Sequence, residues 1–311
     1  MLNTPILFLV FNRPDTTKQV FEQIKKARPK QLFVAADGPR LTKAGEADIC
    51  AATRQIIEEG VDWDCELKTL FRDENLGCGK AVSQAIDWFF ENVEEGIILE
   101  DDCLPDHSFF RFCEELLEKY RFDEKIMSVS GSNLLGAWKA EEQSYFFGHG
   151  GIWGWATWRR AWKMYDRNMK DWPDAAIKER IKKAIKTTQW YDYYYPMFES
   201  AHNSSLDTWD AQWFYTILLH EGTSISPSVN LVKNIGFNIG GTHTTGSNDL
   251  ITNLSVTAME FPLTHPHNVN ADVEYLSLMY DALHKKQPED NVFQKLFSKF
   301  KHIVKIFSAV L

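Results

Sequence analysis

The chain has 311 residues, of which 44% are hydrophobic and 14% aromatic, and its formal net charge is −9 at pH 7. This length and apolar content predict a globular protein with a large core, and the negative charge disfavours non-specific binding to nucleic acid. The 11 Trp side chains suit stacking in carbohydrate or nucleotide sites, and they equally suit core packing.

The five cysteines and the N-terminal residues indicate the compartment. The cysteine number is odd and no C-x-x-C spacing occurs, so the sequence predicts neither a disulfide framework nor a zinc site. Residues 1–5 contain no basic segment or cleavage site, and the apolar residues 5–11 are too few to span a bilayer. We therefore expect a protein of the reducing cytoplasm.

The first 130 residues alternate between short apolar runs and amphipathic stretches. The runs predict strands, and the stretches have the spacing of helices with one buried face. Successive strand–helix units predict an α/β fold with a mostly parallel central sheet, right-handed crossovers and flanking helices. The predicted strands cover residues 6–11, 31–36, 65–71, 97–99 and 125–130, with helices after Asn12, over 47–60, after Gly77 and after Asp106.

Three consecutive carboxylates, Glu100, Asp101 and Asp102, follow the strand predicted at residues 97–99. Ligands of open α/β sheets bind beyond the carboxyl ends of the strands, where these acids lie. Alternation along a strand places Glu100 and Asp102 on one side and Asp101 on the other. Such hard oxygen ligands suit Mg²⁺ or Mn²⁺ held together with substrate phosphates. The alternative is a solvated turn that caps the next helix, and the buried strand upstream disfavours it.

The pattern changes in the second half of the chain. Residues 148–162 combine glycines with four Trp, so Trp153 and Trp155 are predicted to form a mobile lid or a stacking platform for sugar, with core packing as the alternative. Further elements are predicted as a short strand at 145–147, helices at 174–186, 189–200 and 206–221, an extended segment at 224–232 and a Gly/Thr-rich loop at 234–246 containing His243.

The last 21 residues, 291–311, have one apolar face and a set of lysines. This is the profile of an interfacial helix attracted to anionic lipid, which predicts a peripheral membrane surface as a partner. A terminal helix packed on the body of the protein explains the same pattern equally well.

Four motifs together resemble the GT-A nucleotide-sugar glycosyltransferases, in particular N-acetylglucosaminyltransferase I and similar bacterial enzymes. The resemblance covers residues 5–245 and depends on the order and spacing of the motifs, because a D-x-D-like acid group alone is short and common. The motifs are residues 5–14, Asp37 at a strand end, Glu100-Asp101-Asp102, and Trp209-Asp210-Ala211-Gln212-Trp213.

The resemblance implies a GT-A, Rossmann-like fold with a donor site built from the first strand ends. Residues Phe11, Asn12 and Arg13 match the nucleoside contacts, and Asp37 matches the acid that reads the base edge. Arg72 lies where the family places a basic donor contact. The implied donor is a nucleotide sugar, with UDP favoured over GDP.

The resemblance also implies a metal and phosphate site. Asp102 would coordinate Mn²⁺ or Mg²⁺ on the donor diphosphate, and Glu100 and Asp101 would contact nucleotide and ribose or support the metal. Lys80, at a helix start, would neutralise phosphate, and His243 would be a further metal or phosphate ligand. A surface location of the loop histidine explains His243 equally well.

Asp210 matches the family's catalytic base, which takes the proton of the incoming hydroxyl and leads to inversion at the anomeric carbon. Asp207 remains an alternative base. Trp209 is assigned to the acceptor side with Trp153 and Trp155, although Trp209 also suits a core-facing helix side. The expected acceptor is a saccharide or a lipid-linked sugar of surface polysaccharide synthesis.

We divide the chain into residues 1–130 as the nucleotide-sugar-binding half, 131–250 as the acceptor and catalytic half of the same domain, and 251–311 as a C-terminal extension. Two other functions stay open. A sugar-nucleotide nucleotidyltransferase shares the α/β plan but needs a Gly-rich basic loop after the first strand, and residues 11–14 lack one. A non-catalytic nucleotide-sugar-binding module is expected to lose acids, and Glu100, Asp102 and Asp210 are all present.

Overall fold

The computed structural model describes residues 1–236 and 254–284, which form ten strands and nine helices. The strands are β1 (Ile6–Val10), β2 (Gln31–Ala36), β3 (Glu66–Phe71), β4 (Glu95–Glu100), β5 (Cys103–Pro105), β6 (Ile126–Ser130), β7 (Tyr145–Gly148), β8 (Trp155–Trp158), β9 (Thr223–Pro227) and β10 (Val232–Asn234). The helices are α1 (Pro14–Ala27), α2 (Glu46–Gly60), α3 (Cys78–Asn92), α4 (Ser108–Lys119), α5 (Arg159–Trp162), α6 (Ala175–Ala184), α7 (Thr188–His202), α8 (Asp210–Leu219) and α9 (Val273–His284).

Eight of the strands form one sheet in the order β3-β2-β1-β4-β8-β6-β9-β7. The four strands β3, β2, β1 and β4 are parallel, and β8 joins β4 in the antiparallel sense. The prediction of an α/β fold with a mostly parallel central sheet is confirmed. The chain order reverses between β1 and β4, and in open α/β sheets such a point opens a crevice at the carboxyl ends of the strands.

Both faces of this sheet are covered. Along β1, Phe8 packs in one core cluster with residues of α1 and α4, whereas Leu7 and Leu9 pack on the opposite face with residues of α3. In β4, Ile97 and Ile98 are completely buried on opposite faces. Two-sided burial explains why these strands read as continuous apolar runs rather than alternating ones.

Part of the segment predicted to be a mobile Trp-rich lid or a stacking platform belongs to the core instead. Residues 155–158 form β8, and Trp155 pairs with Ile98 of β4. Trp155 is 1% exposed and stacks on Trp209 with ring centroids 5.5 Å apart. A large ring gains more from burial in the sheet than from solvent exposure, so the core-packing alternative is the correct one for Trp155.

Residues 254–284 pack on the main body. Leu254 is buried and Met259 and Leu263 join the core beside α4, while Leu276 of α9 packs in a third cluster with residues of α7 and α8. His243 and the predicted interfacial helix at residues 291–311 lie outside the described residues. None of the helices within the described ranges combines the length and apolarity that crossing a membrane requires.

Candidate active site

Two cavities lie at the carboxyl ends of β1, β2 and β4. The smaller cavity has a volume of about 390 Å³ and the larger one of about 540 Å³. Arg13, Cys78 and Glu100 line both, so the two cavities meet at these side chains. Asp102 lines only the larger cavity and Asp101 only the smaller one, whereas Glu100 lines both. Strand β4 ends at Glu100, so Asp101 and Asp102 lie in the turn that follows it rather than on the strand.

Arg13 ties the end of β1 to the acids after β4. Its Nη1 donates to Asp102 Oδ2 at 2.7 Å and lies 3.4 Å from Asp101 Oδ1. Asp101 Oδ2 also accepts a hydrogen bond from the backbone N–H of Phe11 at 3.1 Å. Burial, together with the charge of Asp102, raises the pKa of Asp101 to about 7. Asp101 therefore acts in this structure as a link between two strand ends that form the cavity wall.

Glu100 is the last residue of β4 and has no hydrogen bond or ion pair of its side chain to any residue in 1–236 or 254–284. Burial raises its pKa well above the ordinary value, and the charges of Asp102, Asp101 and Asp210 raise it further. Four carboxylates thus share one region in which Arg13 is the basic side chain lining the larger cavity. This concentration of negative charge favours binding of a cation or of hydrogen-bond donors.

The oxygen atoms of these acids are suited to a divalent cation. Asp102 Oδ2 is held by Arg13, whereas Oδ1 is approached by the Cys103 thiol at 3.6 Å and keeps lone pairs for a metal. In the described part of the chain, no group of three or more His, Cys, Asp or Glu side chains is placed to hold a metal. Mg²⁺ commonly takes one or two carboxylates and completes its shell with phosphate oxygens and water. The residues fit a cation of that kind.

Asp37, expected to read the edge of a base, is engaged by protein groups. Its carboxylate accepts hydrogen bonds from the backbone N–H groups of Gly38, Leu76 and Gly77 at 3.0–3.2 Å and from Asn75 Nδ2 at 3.0 Å. Burial raises its pKa despite these bonds. In this structure Asp37 positions the loop at residues 75–77, which forms part of the wall of the smaller cavity.

The other predicted donor contacts divide into two groups. Phe11 and Arg72 line the smaller cavity, and Arg40, which the sequence did not single out, lies over the Phe11 ring at 5.4 Å. Asn12 donates to Glu46 Oε1 at 2.9 Å and lines neither cavity. Lys80 is exposed and also lines neither, because the start of α3 directs it outward. Arg40 follows the strand end at Asp37 by three residues, which is the signal that could have identified it.

Asp210, the first residue of α8, lines the larger cavity. Its Oδ1 accepts hydrogen bonds from the Thr208 hydroxyl and from the backbone N–H of Ala211 at 2.9 Å. No donor among the described residues pairs with Oδ2. The carboxylate is therefore held in orientation by one oxygen while the other keeps its capacity to accept a proton.

Asp207 has a different environment. Its Oδ1 accepts from the backbone N–H of Gly79 at 3.0 Å, and the residue lines the smaller cavity but not the larger one. We expect Asp207→Ala to lower the free energy of unfolding by about 0.5–2 kcal/mol, as for other lost helix caps, because the start of α3 loses an acceptor. Urea denaturation, with the exposed Asp192→Ala as control, tests this. Equal stability of the two variants would show that the bond contributes nothing.

The wall of the larger cavity beyond the acids is largely aromatic. Trp153 and Trp209 line it, although Trp209 is only 2% exposed, whereas Trp155 lies behind Trp209 and does not line it. Tyr194 of α7 and Phe214 of α8 also line it and were missed. Helical periodicity identifies an apolar face, but it cannot say whether that face contacts a core or a cavity.

His149, which follows β7, lines the larger cavity, and burial lowers its pKa from 6.5 to about 4. Between these pH values the unfolded chain binds a proton that the folded chain does not, so stability falls as pH falls from about 6.5 towards 4. We expect this loss to reach about 2 kcal/mol at pH 5 and to be absent in His149→Phe. Urea denaturation of both proteins at pH 7 and pH 5 measures it; parallel pH slopes would contradict the assignment.

No protein-family model matches the sequence, and no curated protein matches it. Among solved structures, HddC from Yersinia pseudotuberculosis has 11% identity and a TM-score of 0.31, and the match covers 55% of this chain and 80% of that chain. UDP-glucose pyrophosphorylase complexed with UDP-glucose has 9% identity and a TM-score of 0.40, and the match covers 76% of this chain and 94% of that chain. HddC from Yersinia pseudotuberculosis complexed with GMP-PN has 11% identity and a TM-score of 0.29, and the match covers 50% of this chain and 77% of that chain. Similarity this weak does not assign a function.

Proposed function

We propose that this protein is a metal-dependent, inverting glycosyltransferase that moves a sugar from a nucleoside diphosphate, UDP being favoured, to a saccharide or lipid-linked acceptor. The observation that carries the proposal is the placement of Asp210 in the same cavity as Glu100 and Asp102, next to a second cavity that is joined to it at Arg13. Transfer from a nucleotide sugar needs one cavity for the nucleoside and a neighbouring one where the sugar meets the acceptor.

The smaller cavity is suited to the nucleoside. Its floor consists of small and aliphatic side chains from β1, β2 and α3, and Phe11 with Arg40 provides a ring and a guanidinium plane beside it. Apolar surface with a few placed polar groups is the usual lining of a nucleotide site. Arg72, whose guanidinium pKa is lowered by burial, adds positive charge for the donor.

The diphosphate is assigned to the junction of the two cavities, at Arg13 and the acids after β4. Asp102, with Glu100 beside it, would hold a Mn²⁺ or Mg²⁺ ion there, and His243 stays a proposed additional ligand. When bound, such an ion stabilises the negative charge of a departing diphosphate. Arg13 remains within reach of the same phosphates and keeps Asp101 and Asp102 in place.

Asp210 is assigned as the general base. Its Oδ2 would accept the proton of the acceptor hydroxyl, while Thr208 and the Ala211 N–H hold Oδ1 and so orient the carboxylate. Attack of the acceptor oxygen on the anomeric carbon, opposite to the departing diphosphate, inverts that centre. The aromatic wall formed by Trp153, Trp209, Tyr194 and Phe214 is suited to the acceptor.

The function is tested by the products of turnover. Purified protein is incubated with Mn²⁺, a panel of nucleotide sugars and simple glycoside acceptors, and the release of nucleoside diphosphate is followed. A glycosyltransferase releases UDP or another nucleoside diphosphate, whereas a sugar-nucleotide nucleotidyltransferase releases pyrophosphate from a nucleoside triphosphate and a sugar phosphate. Pyrophosphate release with the second substrate pair would replace our proposal by that alternative.

A further inference from the structure

Three polar side chains from separate elements line the larger cavity and have no role in the chemistry described above. They are His149 after β7, Trp213 of α8 and Ser224 of β9, and we call them the polar trio. Trp213 is 2% exposed and Ser224 1% exposed. The trio is therefore built into the protein rather than placed on its surface.

Each member of the trio has a buried polar atom without a hydrogen-bond partner. The atoms are His149 Nδ1, Trp213 Nε1 and Ser224 Oγ. Across the described residues ten buried side-chain atoms are unpaired in this way, and these three are the ones whose residues line the larger cavity. An unpaired buried polar group costs free energy, so three at one cavity indicate that a bound group pairs with them.

The hydrogen-bonding capacity of the trio can be assigned atom by atom. His149 Nε2 lies 3.2 Å from the backbone carbonyl oxygen of Ile185, so Nε2 carries the hydrogen and Nδ1 of the neutral ring is an acceptor. The indole N–H of Trp213 is a donor, and the Ser224 hydroxyl is both. The trio therefore matches a neutral group that both donates and accepts.

We propose that the polar trio binds the hydroxyl or acylamino groups of a sugar ring. None of its members carries a charge, so an anion or a cation gains no ionic partner there. Phe214 and Ile217 of α8 line the same cavity and provide apolar surface for the C–H groups of such a ring.

The assignment of this ring to the reaction rests on the proposed function. Trp213 lies one turn after Asp210 on α8, and side chains three residues apart on a helix are neighbours. A ring held by the trio would thus lie beside the carboxylate assigned as the base. This ring belongs either to the transferred sugar of the donor or to the sugar of the acceptor.

The indole N–H signals of the 11 Trp side chains report directly on the trio. The protein is labelled with ¹⁵N-Trp, the Trp213 signal is assigned with Trp213→Phe, and spectra are recorded with UDP, UDP-glucose, UDP-N-acetylglucosamine and the methyl glycosides of glucose, galactose, mannose and N-acetylglucosamine. We expect the Trp213 signal to shift with a sugar-containing probe. The Trp63 signal is the internal reference, because Trp63 is buried, its indole N–H donates to the Pro29 carbonyl oxygen and the residue lines neither cavity.

A shift with UDP-sugars but not with UDP supports the donor sugar, and a shift with methyl glycosides supports the acceptor sugar. A shift with methyl glycosides in a protein that binds no nucleotide would keep the trio as a sugar site while removing the proposed function. If no probe moves the Trp213 signal, the proposal is wrong.

Two serine variants provide a second, independent measurement. Ser224→Ala and Ser228→Ala each delete a buried, unpaired hydroxyl, but only Ser224 lines the larger cavity. We expect calorimetry to show affinity for the active sugar probe lowered about three- to tenfold in Ser224→Ala and unchanged in Ser228→Ala. Affinity for UDP alone should be unchanged in both. Equal sugar affinity of the two variants would overturn the proposal.

Discussion

Replacing Asp210 by Asn is expected to lower kcat for sugar transfer by about 10²–10⁴-fold, the usual contribution of a general base. The amide oxygen of Asn can still accept from Thr208 and from the Ala211 N–H, so the local geometry is kept. The amide has no basic oxygen to take the proton of the acceptor. Single-turnover rates at saturating donor and acceptor measure the loss.

The same variant should leave nucleotide binding intact, because Asp210 does not line the smaller cavity. Calorimetry with UDP and Mn²⁺ tests this part. Asp192→Asn, an identical change at an exposed position of α7, is the control and should transfer sugar at the normal rate. A near-normal rate in Asp210→Asn would assign the base to another residue, with Asp207 the first to examine.

Replacing Asp102 by Ala is expected to remove the dependence of nucleotide binding on a divalent cation. Asp102 Oδ2 accepts from Arg13, and under the proposed function Oδ1 would bind the metal, so both interactions would be lost together. We expect affinity for UDP in Mn²⁺ to fall at least 10- to 100-fold, since even changes to the groups that orient metal ligands cause losses of this size.

Calorimetry with UDP, with and without Mn²⁺, separates the loss of the metal ligand from the loss of the contact with Arg13. In the wild-type protein Mn²⁺ should strengthen binding, and in Asp102→Ala the affinities with and without Mn²⁺ should coincide. Asp102→Asn is the matched variant, because its side-chain oxygen can still accept from Arg13 while its charge is gone. If Asp102→Ala retains the full effect of Mn²⁺, the cation is held elsewhere.

Much of the sheet could be predicted from local sequence. The strand at residues 31–36 was predicted with the bounds of β2, and the predicted helix at 47–60 differs from α2 by one residue at its start. These elements carry their signal in contiguous apolar runs or in helical spacing. The same pattern shows that the acids from Glu100 to Asp102 follow a buried strand, because a strand buried on both faces must be apolar until it leaves the sheet.

The pairing of β5 with β10 could not be predicted in this way. Each strand has three residues, and their register joins Cys103 to Asn234, which are more than a hundred residues apart in the chain. The contact also brings the backbone N–H of Ile235 within 2.8 Å of the Asp102 carbonyl oxygen. Short strands have no periodicity of their own, so only the assembled fold brings this segment to the acids.

The partners of the predicted site residues likewise depend on tertiary structure. The sequence by itself determined the fold class, the position of the acids at the end of β4, and Asp210 as the acid between two Trp residues. Tertiary structure decided that Arg13 holds Asp101 and Asp102, that loop amides occupy Asp37, that Trp155 is buried, and that three distant polar side chains line one cavity. The reason is physical: strand and helix periodicity is written in neighbouring residues, whereas burial and hydrogen-bond pairing depend on which segments meet in space.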